Sequence, residues 1–416
     1  MSRVAFFLLC LFAAFLPFEM LAAFEWLPSG AKMLGLACLA AGLLAFMTGH
    51  PLRMLSWVMT WRVALALWSG ISFLWSMDRE ITLETIPRLG QDLILILLLW
   101  EFAVSYRDQL WLLRSLLLGM FVPLGMQLAS FGRLGRGGEN VEEMRVSGGG
   151  HDLNYLAMMF AVSIVIAVYL ATNSSRLDRK VRWGYWGYTA AAVLGALLTG
   201  SRAGLACLMV TGFFCMLLAG FSLRRALQWS KYLVPASLLA LVVRFVVPAA
   251  LQSRLLEGTA TADSFAVRIG YWTRGITSSF VAQPMTGVGL GGYSAVTTAL
   301  TGTKTGVAHN VAISILVELG VVGIVLFLVF VVSLYRAAWH MPWREKCFAL
   351  ALLTVWLIAS MSAGSQIDHF SWFLQGLVAT MAAACQQKPQ GGRSRPYPSM
   401  GLPALGRRLR PRFGKP

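Results

Sequence analysis

Residues 153–172 read LNYLAMMFAVSIVIAVYLAT, twenty residues in a row without a charge. A helix of that length rises about 30 Å, the thickness of a bilayer's hydrocarbon core. The stretch is not isolated. Comparable apolar runs lie near 4–24, 31–49, 54–76, 88–105, 109–131, 183–199, 203–221, 229–250, 309–335, 346–363 and 370–386. Only 13% of the chain is charged and 57% is hydrophobic, where a soluble domain is about a quarter charged. Such a chain has too much apolar surface to stay disordered, except at its ends. The pattern predicts an all-α, polytopic membrane bundle of about 12 transmembrane helices filling residues 1–386. The first run also has signal-peptide features, with Arg3 before it and Leu21-Ala22-Ala23 near its end, but eleven further spans need no separate signal.

The formal net charge of +17 resembles a nucleic-acid signal until the basic residues are placed. With the N-terminus taken as cytoplasmic, 21 of the 35 Lys and Arg fall on the cytoplasmic side and 11 on the other. Arg62, Arg114 and Arg244 fall within spans. This bias favours both termini inside, and the spread over short loops removes the nucleic-acid reading. Residues 387–416 form a basic tail rich in Pro, Gly and Arg, expected to be disordered, cytoplasmic and in reach of anionic lipid. The six cysteines lie in or beside apolar runs, with no CxxC and no neighbouring His. Neither a disulfide framework nor a zinc site is indicated. No paired acidic motif for Mg²⁺ or Mn²⁺ stands out, so metal-independent chemistry without a cofactor is expected.

Two segments exceed ordinary loop length, 132–152 and 251–308, and both fall on the outer side. Both carry arginines against the general bias, and an anionic ligand outside the membrane is the simplest reason. His309 stands where the second of them meets the tenth run. A His at a helix N-terminus has its pKa lowered by the dipole, and a neutral imidazole can take a proton from a hydroxyl. The plainer reading is a helix cap or an interfacial histidine. Arg202, in the turn Gly200-Ser201-Arg202-Ala203-Gly204, offers a fork suited to phosphate; a snorkelling anchor is the alternative. Arg268 flanks an apolar stripe of Phe265, Ile269, Trp272 and Ile276 at helical spacing, which reads as an amphipathic helix at the interface. An ordinary headgroup contact would explain it equally. Residues 287–293, GVGLGGY, follow no strand and read as a flexible glycine turn rather than a nucleotide fingerprint. His151-Asp152-Leu153-Asn154 opens the sixth run, with Asp152 as its cap. Glu318 lies about 13 Å along a helix from His309, and an arginine such as Arg202 is its expected partner. Asp368-His369 borders the last run, either binding substrate or marking the interface.

The ordered set Gly200-Ser201-Arg202-Ala203-Gly204, Val267-Arg268-Ile269-Gly270-Tyr271-Trp272, Pro284, Gly287-Val288-Gly289-Leu290-Gly291, Ala308-His309-Asn310 and Glu318-Leu319-Gly320 resembles the O-antigen ligase and polymerase superfamily over about 200–330. Asn154 with Ala157 resembles a weaker upstream element of it. The resemblance implies a glycosyltransferase of the bacterial inner membrane, working on its periplasmic face with an undecaprenyl-diphosphate-linked glycan. The acceptor would be the lipid A core for a ligase, or a second carrier-linked glycan for a polymerase. It implies that Arg202 and Arg268 hold the diphosphate and His309 acts as base, with Glu318, Asn310, Trp272, Tyr271, Asn154 and His151 as possible support. A 12-span transporter is the rival reading from another class. It predicts half-to-half similarity, which the sequence lacks. A structural or assembly protein without activity is the third.

Overall fold

The computed structural model describes residues 2–18, 29–134, 152–173, 178–220, 262–302, 307–362 and 368–386. Among them all regular structure is helical. In chain order the helices are α1 (Ser2–Phe15), α2 (Ser29–Met47), α3 (Trp57–Ile71), α4 (Arg79–Phe102), α5 (Tyr106–Gly119), α6 (Phe121–Leu134), α7 (Leu153–Asn173), α8 (Arg179–Leu198) and α9 (Arg202–Leu218). Then come α10 (Ala262–Arg274), a π-helical segment (Gly275–Phe280), α11 (Tyr293–Thr301), α12 (Val311–Trp339), α13 (Trp343–Ser360) and α14 (His369–Gln386). Eleven of the twelve apolar runs coincide with helices. The twelfth, 229–250, lies outside the described residues, as do His151, 251–261, 387–416 and the Leu21-Ala22-Ala23 site. By length and composition, Trp57–Leu74, Tyr106–Ser130, Leu153–Asn173 and Val311–Trp339 are able to cross a membrane, and the chain is a membrane protein on that evidence.

Side-chain caps set several starts. Ser56, Asp78, Asp178 and Ser201 each accept a backbone N–H from the first turn of the helix that follows, and Ser105 and Asp108 form a reciprocal capping box. The Asp78 cap explains why α4 begins nine residues before its apolar run: a polar first turn is helical but invisible to hydropathy. Asp152 caps α7 as expected, its Oδ1 accepting from Asn154 N (2.8 Å) and Tyr155 N (3.0 Å).

The core sits around α7. Every residue from Leu156 to Ala171 is buried, against α5, α8, α9 and α13. A helix apolar all round belongs in the centre of a bundle. α12 lies against α3, α13 and α14, and α14 also meets α4. Large apolar side chains such as Leu36, Met47, Leu328 and Val332 are exposed, as suits a surface that meets lipid.

Two polar sets are buried between the helices. The Arg62 guanidinium lies 3.3 Å from the centre of the Trp372 ring, which offers a partner to a charge that hydrocarbon would not tolerate alone. Asp92 bonds His369 Nδ1. Asp368 is also buried; it accepts a hydrogen bond from the Tyr155 hydroxyl and caps α14 through Ser371 N. Asp368-His369 therefore ties α4, α7 and α14 together.

Candidate functional site

The site is organised by a break in α12. Gly320 has φ 69° and ψ −165° inside an otherwise helical stretch. Only glycine adopts such a conformation readily, and a Cβ there would meet Met285 carbonyl atoms at 2.4 Å. A broken helix leaves backbone groups unpaired, and each costs several kcal/mol in an apolar setting. Here five such groups find partners. The carbonyls of Val317 and Glu318 accept from Val288 N (3.1 Å) and Gly289 N (2.9 Å). The Leu319 carbonyl accepts from the Trp68 indole (3.0 Å). Beyond the break, Val321 N donates to the Pro284 carbonyl (2.9 Å) and Val322 N to that of Met285 (3.3 Å).

The glycine segment 287–292 does turn, with Gly292 N donating to the Gly289 carbonyl (3.1 Å), but the turn is fixed rather than flexible. It lies against the broken helix and is held from its other side by the 3₁₀ turn after α3, by Trp75 and by α4. The Trp75 indole donates to the Thr286 carbonyl (3.0 Å), Thr82 Oγ1 to that of Leu290 (2.9 Å), and Leu290 N to Ser72 Oγ (3.0 Å). Gly287 has φ +71°, and a Cβ on it would lie 2.3 Å from the Glu318 backbone. The Glu318 carboxylate accepts from Gly291 N (2.8 Å) and Tyr293 N (3.4 Å). Tyr293 is the first residue of α11, so the buried carboxylate meets the positive end of a helix. These donors, which sequence reasoning did not find, give Glu318 a role in holding the loop.

His309 precedes this break at the start of α12. It is the one described non-glycine residue with positive φ, 48°. Such a backbone is uncommon outside glycine and concentrates at functional sites. The helix cap is not His309 but its neighbour: Asn310 Oδ1 accepts from Ala312 N (3.0 Å) and Ile313 N (3.2 Å). On the other flank the Trp272 indole donates to the Ala308 carbonyl (2.6 Å). Both neighbours of His309 are thereby pinned, while its own buried Nδ1 has no hydrogen-bond partner. Burial lowers its pKa below the usual 6.5, the Arg268 charge lowers it further, and Asp152 opposes both. The imidazole is neutral at neutral pH.

Those same charges locate the other site residues. Arg268 lies on α10 close enough to His309 to act on it. The stripe expected along α10 is divided: Ile269 is exposed, but Trp272 turns inward onto a cluster of Val288, Tyr293, Ala308 and Val317. Tyr271 contributes its carbonyl, which accepts the Tyr293 hydroxyl (2.7 Å). Arg202 is exposed at the first position of α9. Its turn is tied to α7, because Ser201 Oγ donates to Asn154 Oδ1 (2.6 Å). α9 can come this near because Gly204 has no Cβ; one there would sit 2.4 Å from that of Ala157. The first turn of α7 therefore brackets the site. Asp152 acts on His309 and Asn154 holds the turn that presents Arg202, so Arg202, Arg268 and His309 share one end of the bundle. The influence of Asp152 on His309 was not legible in the sequence, where it read only as a cap.

Comparison with known families matches residues 187–328 to the family described as O-antigen ligase. That span holds Arg202, Arg268, His309 and Glu318, and is about a third of the chain. It agrees with the resemblance read over about 200–330. The match supports glycosyl transfer of the ligase or polymerase type, in lipopolysaccharide or polysaccharide biosynthesis, with carrier-linked glycans as the general class of substrate. No curated protein matches the chain.

Proposed function

The chain belongs to the O-antigen ligase and polymerase superfamily, and from that premise we propose that it moves a finished glycan from undecaprenyl diphosphate to a hydroxyl of the lipid A core, at the periplasmic face of a bacterial inner membrane. The observation that carries the reading is the state of His309: neutral, held in a left-handed backbone, with a buried ring nitrogen that the protein leaves unbonded.

A sugar hydroxyl is a poor nucleophile at neutral pH, and a positioned base contributes roughly 10²–10⁴-fold. In the proposed step His309 takes the acceptor hydroxyl proton as its oxygen bonds the anomeric carbon. The bond from that carbon to the diphosphate oxygen breaks, and its electron pair leaves on the carrier. The anomeric carbon gains oxocarbenium character on the way, and a single displacement inverts its configuration. The leaving diphosphate needs charge stabilisation more than a proton. Arg202 and Arg268 supply it from a partly dry site. Arg268 has a second effect, since its charge helps keep His309 unprotonated and ready as a base. No metal takes part in this scheme.

Purified protein given radiolabelled carrier-linked glycan and acceptor is expected to transfer label without any ion gradient. His309→Ala is expected to abolish transfer while retaining carrier binding. Turnover at the wild-type rate in that variant would remove the base assignment. Transport of label across a membrane, with no new glycosidic bond, would favour the transporter. The glycolipids of a deletion strain separate ligase from polymerase: bare core with polymer held on the carrier means ligase, whereas core bearing one repeat unit means polymerase.

A further inference from the structure

α7 carries its chain from Asp152, beside His309, to Asn173, about 30 Å away by helical rise. At that far end the C-termini of α7 and α9 meet the first turns of α8 and α13. Between them lies an open cleft of about 750 Å³ lined by Asn173, Arg182, Trp186, Leu218, Trp343 and Arg344, among others. The proposed reaction makes no use of it.

Its chemistry is one-sided. Two arginines line the cleft, and no carboxylate does so among the described residues. Arg344 Nε and Nη2 are buried and have no hydrogen-bond partner. These two nitrogens point their N–H bonds in parallel along one edge of the guanidinium, the edge that grips a phosphate or carboxylate in bidentate fashion. Buried donors left unanswered among the described residues call for a partner from elsewhere, and Arg344 lines the cleft that would admit one. α13 begins at the same place, and Pro342 gives it no side-chain cap, so the positive end of a helix adds to the two arginines. The rest of the wall suits an amphiphile. Trp343 is 60% exposed and Trp186 37%, and tryptophans gather where hydrocarbon meets headgroups. Leu218 supplies an apolar floor.

We propose that this cleft binds the phosphate of an anionic amphiphile, a second lipid site at the opposite end of the bundle from His309. The shared chemistry is the phosphate, borne by a lipid headgroup or free in solution.

The test uses full-length protein and native mass spectrometry in detergent. Phosphatidylglycerol is expected to be retained about tenfold better than phosphatidylcholine. Arg344→Gln is expected to remove most of that preference, as the loss of a charge-assisted bond implies on the order of tenfold or more. Trp343→Ala, at an exposed position that folding tolerates, is expected to weaken retention severalfold and serves if the arginine variant does not fold. Inorganic phosphate is titrated alone against the thermal melt. If it stabilises wild type but not Arg344→Gln, and no lipid is preferred, the site stands with a soluble phosphate as its ligand. Equal retention of both lipids with no response to phosphate overturns the proposal, and so does a lipid preference that survives in the variant that folds.

Discussion

α7 and α12 are both unbroken apolar runs in the sequence, yet they do opposite work. In α7, 89% of the apolar window is buried, against 44% for α12. α7 stays regular from Leu153 to Asn173, with no break in its helical backbone. α12 breaks at Gly320 and lends its backbone to residues 284–289 and to the Trp68 indole. Regular helix gives a post to build around. A broken helix gives free carbonyls and N–H groups with which a loop can be fixed, and that loop carries α11 against the site. The break is tolerated because five of the groups around it are answered by the loop and by Trp68.

The widest gap between the two helices is expected from adding side-chain carbon to each. Gly320→Ala introduces both a forbidden φ and a clash with Met285. It should cost on the order of 3 kcal/mol or more, and lower the melting temperature and the transfer activity together. Ala161→Leu in α7, where Ala161 is fully buried, should cost about 1–3 kcal/mol by overpacking and leave the residual activity of the folded fraction unchanged. A melt in which the α7 change is the more severe would reverse the comparison.

Trp68→Phe keeps the ring and removes one donor to the broken helix. Stranding the Leu319 carbonyl should cost about 1–3 kcal/mol, read as a lower melt, while an exposed tryptophan such as Trp183 (64% exposed) should be replaceable by Phe with little change.

The smallest effects concern the pH profile. A neutral His309 is needed, so kcat/KM should fall on the acid side as the ring is protonated, with its midpoint below 6.5. Arg268→Gln removes a charge that lowers the pKa, so its acid limb should move to higher pH. Asp152→Asn removes a charge that raises it, so its limb should move to lower pH. Two shifts of the same sign would mean that the limb reports another group. Part of the Asp152→Asn effect should appear as stability, because that carboxylate also caps α7.

Hydropathy located the long helices, because burying twenty residues of backbone in hydrocarbon leaves a helix as the cheapest solution; it did not show α10, α11 or the polar first turns of α4. Asn154 and Ala157, which the sequence offered only as a weak family likeness, meet the Arg202 turn and Gly204 in the fold. Composition could not foresee what happened at 287–292 and 320. Glycine permits a turn, a flexible loop or a kink with equal ease, and the choice fell to partners distant in sequence, Trp68, Trp75, Ser72 and Thr82. The setting of His309 was hidden for the same reason. Its left-handed backbone, its buried ring nitrogen and the opposing charges of Arg268 and Asp152 exist only once helices far apart in the chain stand side by side.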